Sequence, residues 1–122
     1  MSIKIAFIGA GSIGFTRRLI TDVLSVPDLQ DSRITLMDID ADNLQRIAQL
    51  VQRDIDANAV PAKLESTTDL AAAVSEADYV ICAIRQGGLE AFATDIEIPL
   101  KYGIDQCVGD TLCAGGIMYG QR

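Results

Sequence analysis

The arrangement of the first residues constrains this chain most. The apolar run Ile3-Lys4-Ile5-Ala6-Phe7-Ile8 halts at Gly9-Ala10-Gly11-Ser12-Ile13-Gly14, and helical spacing starts directly afterwards. A short, β-branched-rich run that stops at glycines suits a buried strand better than a helix. From Ser12 the apolar positions Ile13, Leu19, Ile20, Val23 and Leu24 recur at helical intervals, and Pro27 stands just beyond, where the helix cannot continue. The spacing predicts a helix over residues 12–25.

The same alternation then repeats. Arg33-Ile34-Thr35-Leu36-Met37-Asp38 reads as a second strand, and Leu44, Ile47, Ala48, Val51 and Ile55 mark one face of a second helix capped at Asp40. Pro61 begins a weaker third strand that runs through Thr67, and Thr68 is the expected cap of a short helix carrying Leu70, Ala73 and Val74. Tyr79-Val80-Ile81-Cys82-Ala83-Ile84 is continuously apolar, which predicts a strand covered on both faces. Strands separated by helices cannot be hairpin partners, so they form a parallel sheet with right-handed crossovers. The class is doubly wound α/β, Rossmann-like, with four strands in a partial dinucleotide-binding domain. Residues 85–122 read as a loop at Gly87-Gly88, a helix through Glu97 to Tyr102, an extended piece near Val108, and a new helix opening at Gly115.

Composition narrows the functions. At 122 residues and 49% hydrophobic content the chain has the profile of one globular domain, too short for two. Ten Lys and Arg against 17 Asp and Glu give a net charge of -7, which argues against nucleic acid or an anionic membrane as partner. No apolar stretch approaches the roughly 18 residues of a bilayer span, so a cytoplasmic protein is expected. There is no His, so His-dependent triads and His metal ligands are excluded within this chain. Cys82, Cys107 and Cys113 are odd in number and form no C-x-x-C pair, which argues against a disulfide framework and a zinc site. Cys82, inside an apolar strand, reads as a small core residue, and no metal site is expected among these residues.

Gly9 to Gly14 satisfies G-x-G-x-x-G, and its place between a strand and a helix gives the pattern its weight. Gly9 permits the tight turn, Gly11 lets the backbone approach a pyrophosphate, and Gly14 is expected to let helix pack closely on strand. Free N–H groups at the helix start, aided by Ser12, bind phosphate despite the acidic net charge. Asp38 ends the second strand, where an acidic side chain accepts hydrogen bonds from the adenosine ribose and repels a 2′-phosphate, favouring NAD over NADP. The bland alternatives are a glycine turn that binds nothing and an Asp38 that only helps cap the second helix. Arg17 and Arg18 read as solvated side chains and are not assigned to the site.

Several segments together resemble the N-terminal part of glycoside hydrolase family 4, with greatest similarity to its α-galactosidase and α-galacturonidase branch. They are Gly9 to Thr16, Leu36 to Asp40, Gln86-Gly-Gly-Leu-Glu90, Asp95 to Pro99 with Lys101-Tyr-Gly103, and Gly109-Asp-Thr-Leu112 with Gly115-Gly-Ile-Met118. The resemblance covers essentially the whole chain. It implies NAD as cofactor, with oxidation at the sugar C3, proton removal at C2, elimination of the aglycone, addition of water and re-reduction, assisted by manganese. Gly9, Gly11, Ser12, Ile13, Asp38 and Arg85 are the cofactor positions it implies, and Gln86 and Asp110 the substrate positions. It places the catalytic base and metal ligands beyond residue 122, so no catalytic residue is assigned and the isolated chain is expected to be inactive. Cys113-Ala114 and Tyr119-Gly120-Gln121 depart from the family pattern beside the sugar pocket. The competing classes are a 2-hydroxyacid dehydrogenase and a non-catalytic nucleotide-binding or oligomerisation module. An uncovered sheet edge favours a homo-oligomer.

Overall fold

A computed structural model describes residues 2–106 and 113–121. The chain divides into two compact units, residues 1–84 and 85–122. The first contains four strands, β1 (Lys4–Ile8), β2 (Arg33–Met37), β3 (Lys63–Thr67) and β4 (Tyr79–Cys82), alternating with α1 (Ile13–Leu24), α2 (Ala41–Ala57) and α3 (Leu70–Val74). A single 3-10 turn at Pro27–Leu29 follows α1, and sequence periodicity gave no sign of it. The sheet order is β3-β2-β1-β4 and every pairing is parallel, so the expected α/β class holds. The chain moves outward from β1 to β2 and β3, then crosses back to place β4 on the other side of β1. The C-terminal end of β1 is therefore the point where strand order reverses, and ligands of open α/β sheets bind in the crevice at such a point.

Side-chain alternation decides what each face of the sheet carries. Ile5, Phe7, Ile34 and Leu36 face α1 and α2, where Ile20, Leu24, Leu44, Ile47, Val51 and Ile55 complete the main core. Ala6, Ile8 and Met37 face the other way and meet Ala73 of α3. Helix α2 stops at Asn58 in a six-residue C-terminal motif: Val60 N–H donates to the Ile55 carbonyl at 3.1 Å and Ala59 N–H to that of Asp56 at 3.2 Å. Ala59 takes the left-handed position, φ 51°, that glycine usually fills. Lys4 ties α3 to the sheet, its buried ammonium donating to the Ser75 carbonyl at 2.6 Å.

Four expectations for this unit need correction. β4 is not covered on both faces: Tyr79 and Val80 are 61% and 51% exposed, and β4 stands at one end of the four-strand order. Cys82 is accordingly exposed and is not a core residue. The cap of α3 is Asp69, whose carboxylate accepts from the N–H groups of Ala71 and Ala72, while Thr67, not Thr68, receives the Asp69 N–H. The third strand also starts at Lys63, two residues after Pro61.

The second unit holds α4 (Gly88–Leu100) and α5 (Ala114–Gln121). α4 begins nine residues before Glu97, at Gly88 of the pair read as a loop, and Gly87 is its cap residue. Pro99 sits in its last turn. The helix expected to open at Gly115 is present as α5, where Gly115 N–H donates to Oε1 of Gln106 at 2.8 Å. Val108, Cys107 and Asp110 lie outside the described residues. No helix among the described residues is long and apolar enough to cross a membrane.

Candidate functional site

The turn after β1 is held from beneath by the end of β2. Gly9 N–H and Ala10 N–H both donate to the Met37 carbonyl, each at 2.9 Å. Gly9 has φ +81°, and a side chain there would meet the Ala83 carbonyl and stand 2.9 Å from Cγ2 of Ile84. Gly11 N–H then donates to Oδ2 of Asp38 at 2.7 Å. A Cβ on Gly11 would lie 2.7 Å from that oxygen and 3.3 Å from Cβ of Asn43, so only glycine lets the turn lie this close to β2.

Ser12 is the N-cap of α1, and its hydroxyl makes no cap hydrogen bond. Its carbonyl accepts from Thr16 N–H at 2.9 Å. The N–H groups of the first turn, Ile13 to Phe15, therefore have no side-chain cap. They carry the partial positive charge of the helix start, which is what a phosphate requires. Ile13 is 38% exposed on that turn. Gly14 was expected to allow close helix–strand packing, but a Cβ there meets nothing within 4 Å. The close approaches are made at Gly9 and Gly11 instead.

Asp38 is half-buried at the end of β2. Its second oxygen, Oδ1, accepts from Asp40 N–H at 2.9 Å. The cap of α2 is Asp40, which accepts from Asn43 N–H at 3.0 Å and from the Asn43 side-chain amide at 2.8 Å. Asp38 is thus not the helix cap, and its carboxylate faces the glycine turn. Gly9, Gly11, Ser12, Ile13 and Asp38 all stand at the carboxyl ends of β1 and β2. Sequence reasoning missed Asn43, the Met37 carbonyl and Ile39, whose apolar side chain is 90% exposed beside Asp38. An apolar residue between two aspartates at a strand end was the available signal for Ile39; nothing in the sequence pointed to the other two.

Arg17 reaches Asp54 of α2 with two hydrogen bonds of 2.5 and 2.9 Å, consistent with leaving it out of the phosphate site. Those bonds, and then the guanidinium charge, hold the Asp54 carboxyl below the usual carboxylate range against some desolvation. A groove of about 330 Å³ beside this pair is floored by Ile20, Leu24, Val51 and Ile55, toward the far ends of α1 and α2 from the glycine turn. It takes no part in the site.

In the second unit the Arg85 guanidinium lies over the rings of Phe92 in α4 and Tyr119 in α5, 4.4 and 5.5 Å from their centroids. It bridges the two helices by cation–π contact. Gln86 is exposed just before the α4 cap. Among the described residues no three His, Cys, Asp or Glu side chains gather where they could hold a metal ion.

The sheet order and the glycine turn at the strand-order reversal define an α/β fold of the Rossmann-like kind. Residues 4–122 match the model for family 4 glycosyl hydrolases, and the chain belongs to that family. It is 57% identical over 121 residues to the α-galactosidase of Rhizobium meliloti (strain 1021), covering 99% of this chain and 25% of that protein. Among solved structures it is similar to the 6-phospho-β-glucosidase of Thermotoga maritima with NAD and glucose-6-phosphate, at 31% identity and TM-score 0.79, over 98% of this chain and 28% of that one. The same enzyme with manganese, NAD+ and glucose-6-phosphate gives TM-score 0.77 at 31% identity, over 97% and 28%. The chain spans about a quarter of the length of these relatives. Family membership decides against the dehydrogenase reading.

Proposed function

We propose that this chain binds NAD as the cofactor module of a family 4 glycosidase whose substrate is an α-galactoside. The observation that carries the reading is the Gly9–Gly11 turn closed against Asp38 beneath an uncapped α1 N-terminus. Each part fits a dinucleotide: the first N–H groups of α1 face a diphosphate, the remaining lone pairs of Asp38 face a ribose diol, and exposed Ile39 offers an apolar surface to a base. A carboxylate at Asp38 disfavours a 2′-phosphate. Bound NAD supplies reversible hydride transfer at a sugar carbon, which acidifies the neighbouring C–H for elimination of the aglycone. Within this scheme the family resemblance assigns Arg85 to the cofactor and Gln86 and Asp110 to the sugar, and hydrolysis depends on residues outside these 122. The 57% identity to an α-galactosidase supports the choice of sugar.

Calorimetric titration tests the cofactor assignment. NAD is expected to bind, with NADP weaker by about tenfold or more, the factor for one unpaired repulsive contact at a polar site. Failure to bind NAD would remove the proposal. Incubation of the same chain with a nitrophenyl α-galactoside, NAD and manganese is expected to give no turnover; release of nitrophenol would show that catalysis resides in these residues after all. The exposed apolar edge at Tyr79 and Val80 supports self-association by strand pairing. Sedimentation is expected to show an oligomer, and a monomer at all concentrations would refute that part.

A further inference from the structure

Asp38 is engaged before any ligand arrives. Its two oxygens accept from backbone N–H groups of two different segments, Oδ2 from Gly11 and Oδ1 from Asp40. The first partner belongs to the glycine turn and the second to the entry into α2. Gly11 directly precedes the N-cap of α1, so its position sets the direction in which the first N–H groups of that helix point. A carboxylate oxygen has two lone pairs, and one on each oxygen stays open.

We propose that Asp38 is a positioning residue for the phosphate-binding turn, and that this role is separate from its contact with the ribose. The inference rests on the nucleotide-binding reading above. The Gly11–Asp38 bond joins an N–H to an ionised acceptor, the stronger kind of hydrogen bond. It ties the turn to β2 and so removes part of the ordering cost that phosphate binding would otherwise carry. Asparagine replaces this function only in part. Its single carbonyl oxygen satisfies one backbone donor, and its NH₂ then faces the other, donor against donor.

The two roles separate with a probe that has phosphates but no ribose diol. NAD, ADP and 2′,3′-dideoxy-ADP are titrated into the wild-type chain, Asp38→Asn and Asp69→Ala, the last removing the unrelated cap of α3 and serving as a destabilised control. Positioning by Asp38 predicts that Asp38→Asn weakens dideoxy-ADP by about tenfold, the loss for one charged hydrogen bond, and ADP by more, while Asp69→Ala changes neither. The Gly11 amide resonance is expected to move on Asp38→Asn substitution. A scalar coupling across the hydrogen bond, from Gly11 ¹⁵N to Asp38 Cγ, is expected in the wild type, which keeps the test open even if the variant does not fold. Equal affinity of wild type and Asp38→Asn for dideoxy-ADP would overturn the positioning role and leave Asp38 a ribose contact only. Absence of the coupling would overturn it as well. A wild-type chain that shows the coupling but binds none of the three nucleotides would instead sink the nucleotide-binding reading, and the role in phosphate binding with it.

Discussion

Replacing Gly9 with alanine is expected to cost about 3 kcal/mol of stability, the sum of a left-handed residue that carries a Cβ and an overpacked contact with fixed backbone. The residue has φ +81°, and the new methyl would run into the Ala83 carbonyl, with Cγ2 of Ile84 2.9 Å away. The carbonyl cannot swing aside, because it belongs to the segment that continues the β1–β4 ladder, where Ala83 N–H donates to the Ile8 carbonyl at 2.8 Å. Urea unfolding followed by circular dichroism checks the value. An unfolding midpoint unchanged from wild type would mean that the turn is not packed as described.

Gly11→Ala is expected to act in the opposite way, sparing the fold and removing nucleotide affinity. Its Cβ would stand 2.7 Å from Oδ2 of Asp38 and 3.0 Å from Cγ, displacing a side chain and not a strand. Carboxylate and turn must then part, so the Gly11 N–H loses its acceptor and the entry to α1 shifts. Losing one or two hydrogen bonds to charged groups corresponds to a weakening of NAD binding by about 10- to 100-fold. Calorimetry of the variant beside its thermal melt reads both quantities. An affinity equal to wild type would show that close approach at Gly11 is irrelevant to the ligand.

Much of the fold was legible because each element of the first unit carries a strong period. Ile5, Phe7, Ile34 and Leu36 alternate inward, and Leu44, Ile47, Val51 and Ile55 repeat on one helix face. The glycine turn was legible because G-x-G-x-x-G stands between two such elements. What was lost depends on neighbours that one-dimensional pattern does not contain. Tyr79 to Cys82 is as apolar as a buried strand, and its exposure depends on which elements pack over it, which its own residues do not state. Thr68 and Asp69 are both good cap residues, and choosing between them needs the backbone direction. The Gly87-Gly88 pair read as a loop, whereas Gly87 caps a helix of 13 residues whose apolar positions show little one-sidedness. Gly14 fits the motif yet has empty space around it, so a glycine pattern identifies a turn without assigning a task to each of its members.

The contact between Gly11 and Asp38 spans 27 positions of the chain, and the described parts of the cradle lie between Gly9 and Asn43. One β-α-β unit therefore contains all the described parts of that cradle. On the proposed function such a unit contributes a seat for a dinucleotide and not a reaction, so the chemistry is decided by whatever chain surrounds it. The same seat can serve a hydrolase that returns its hydride and an oxidoreductase that releases it.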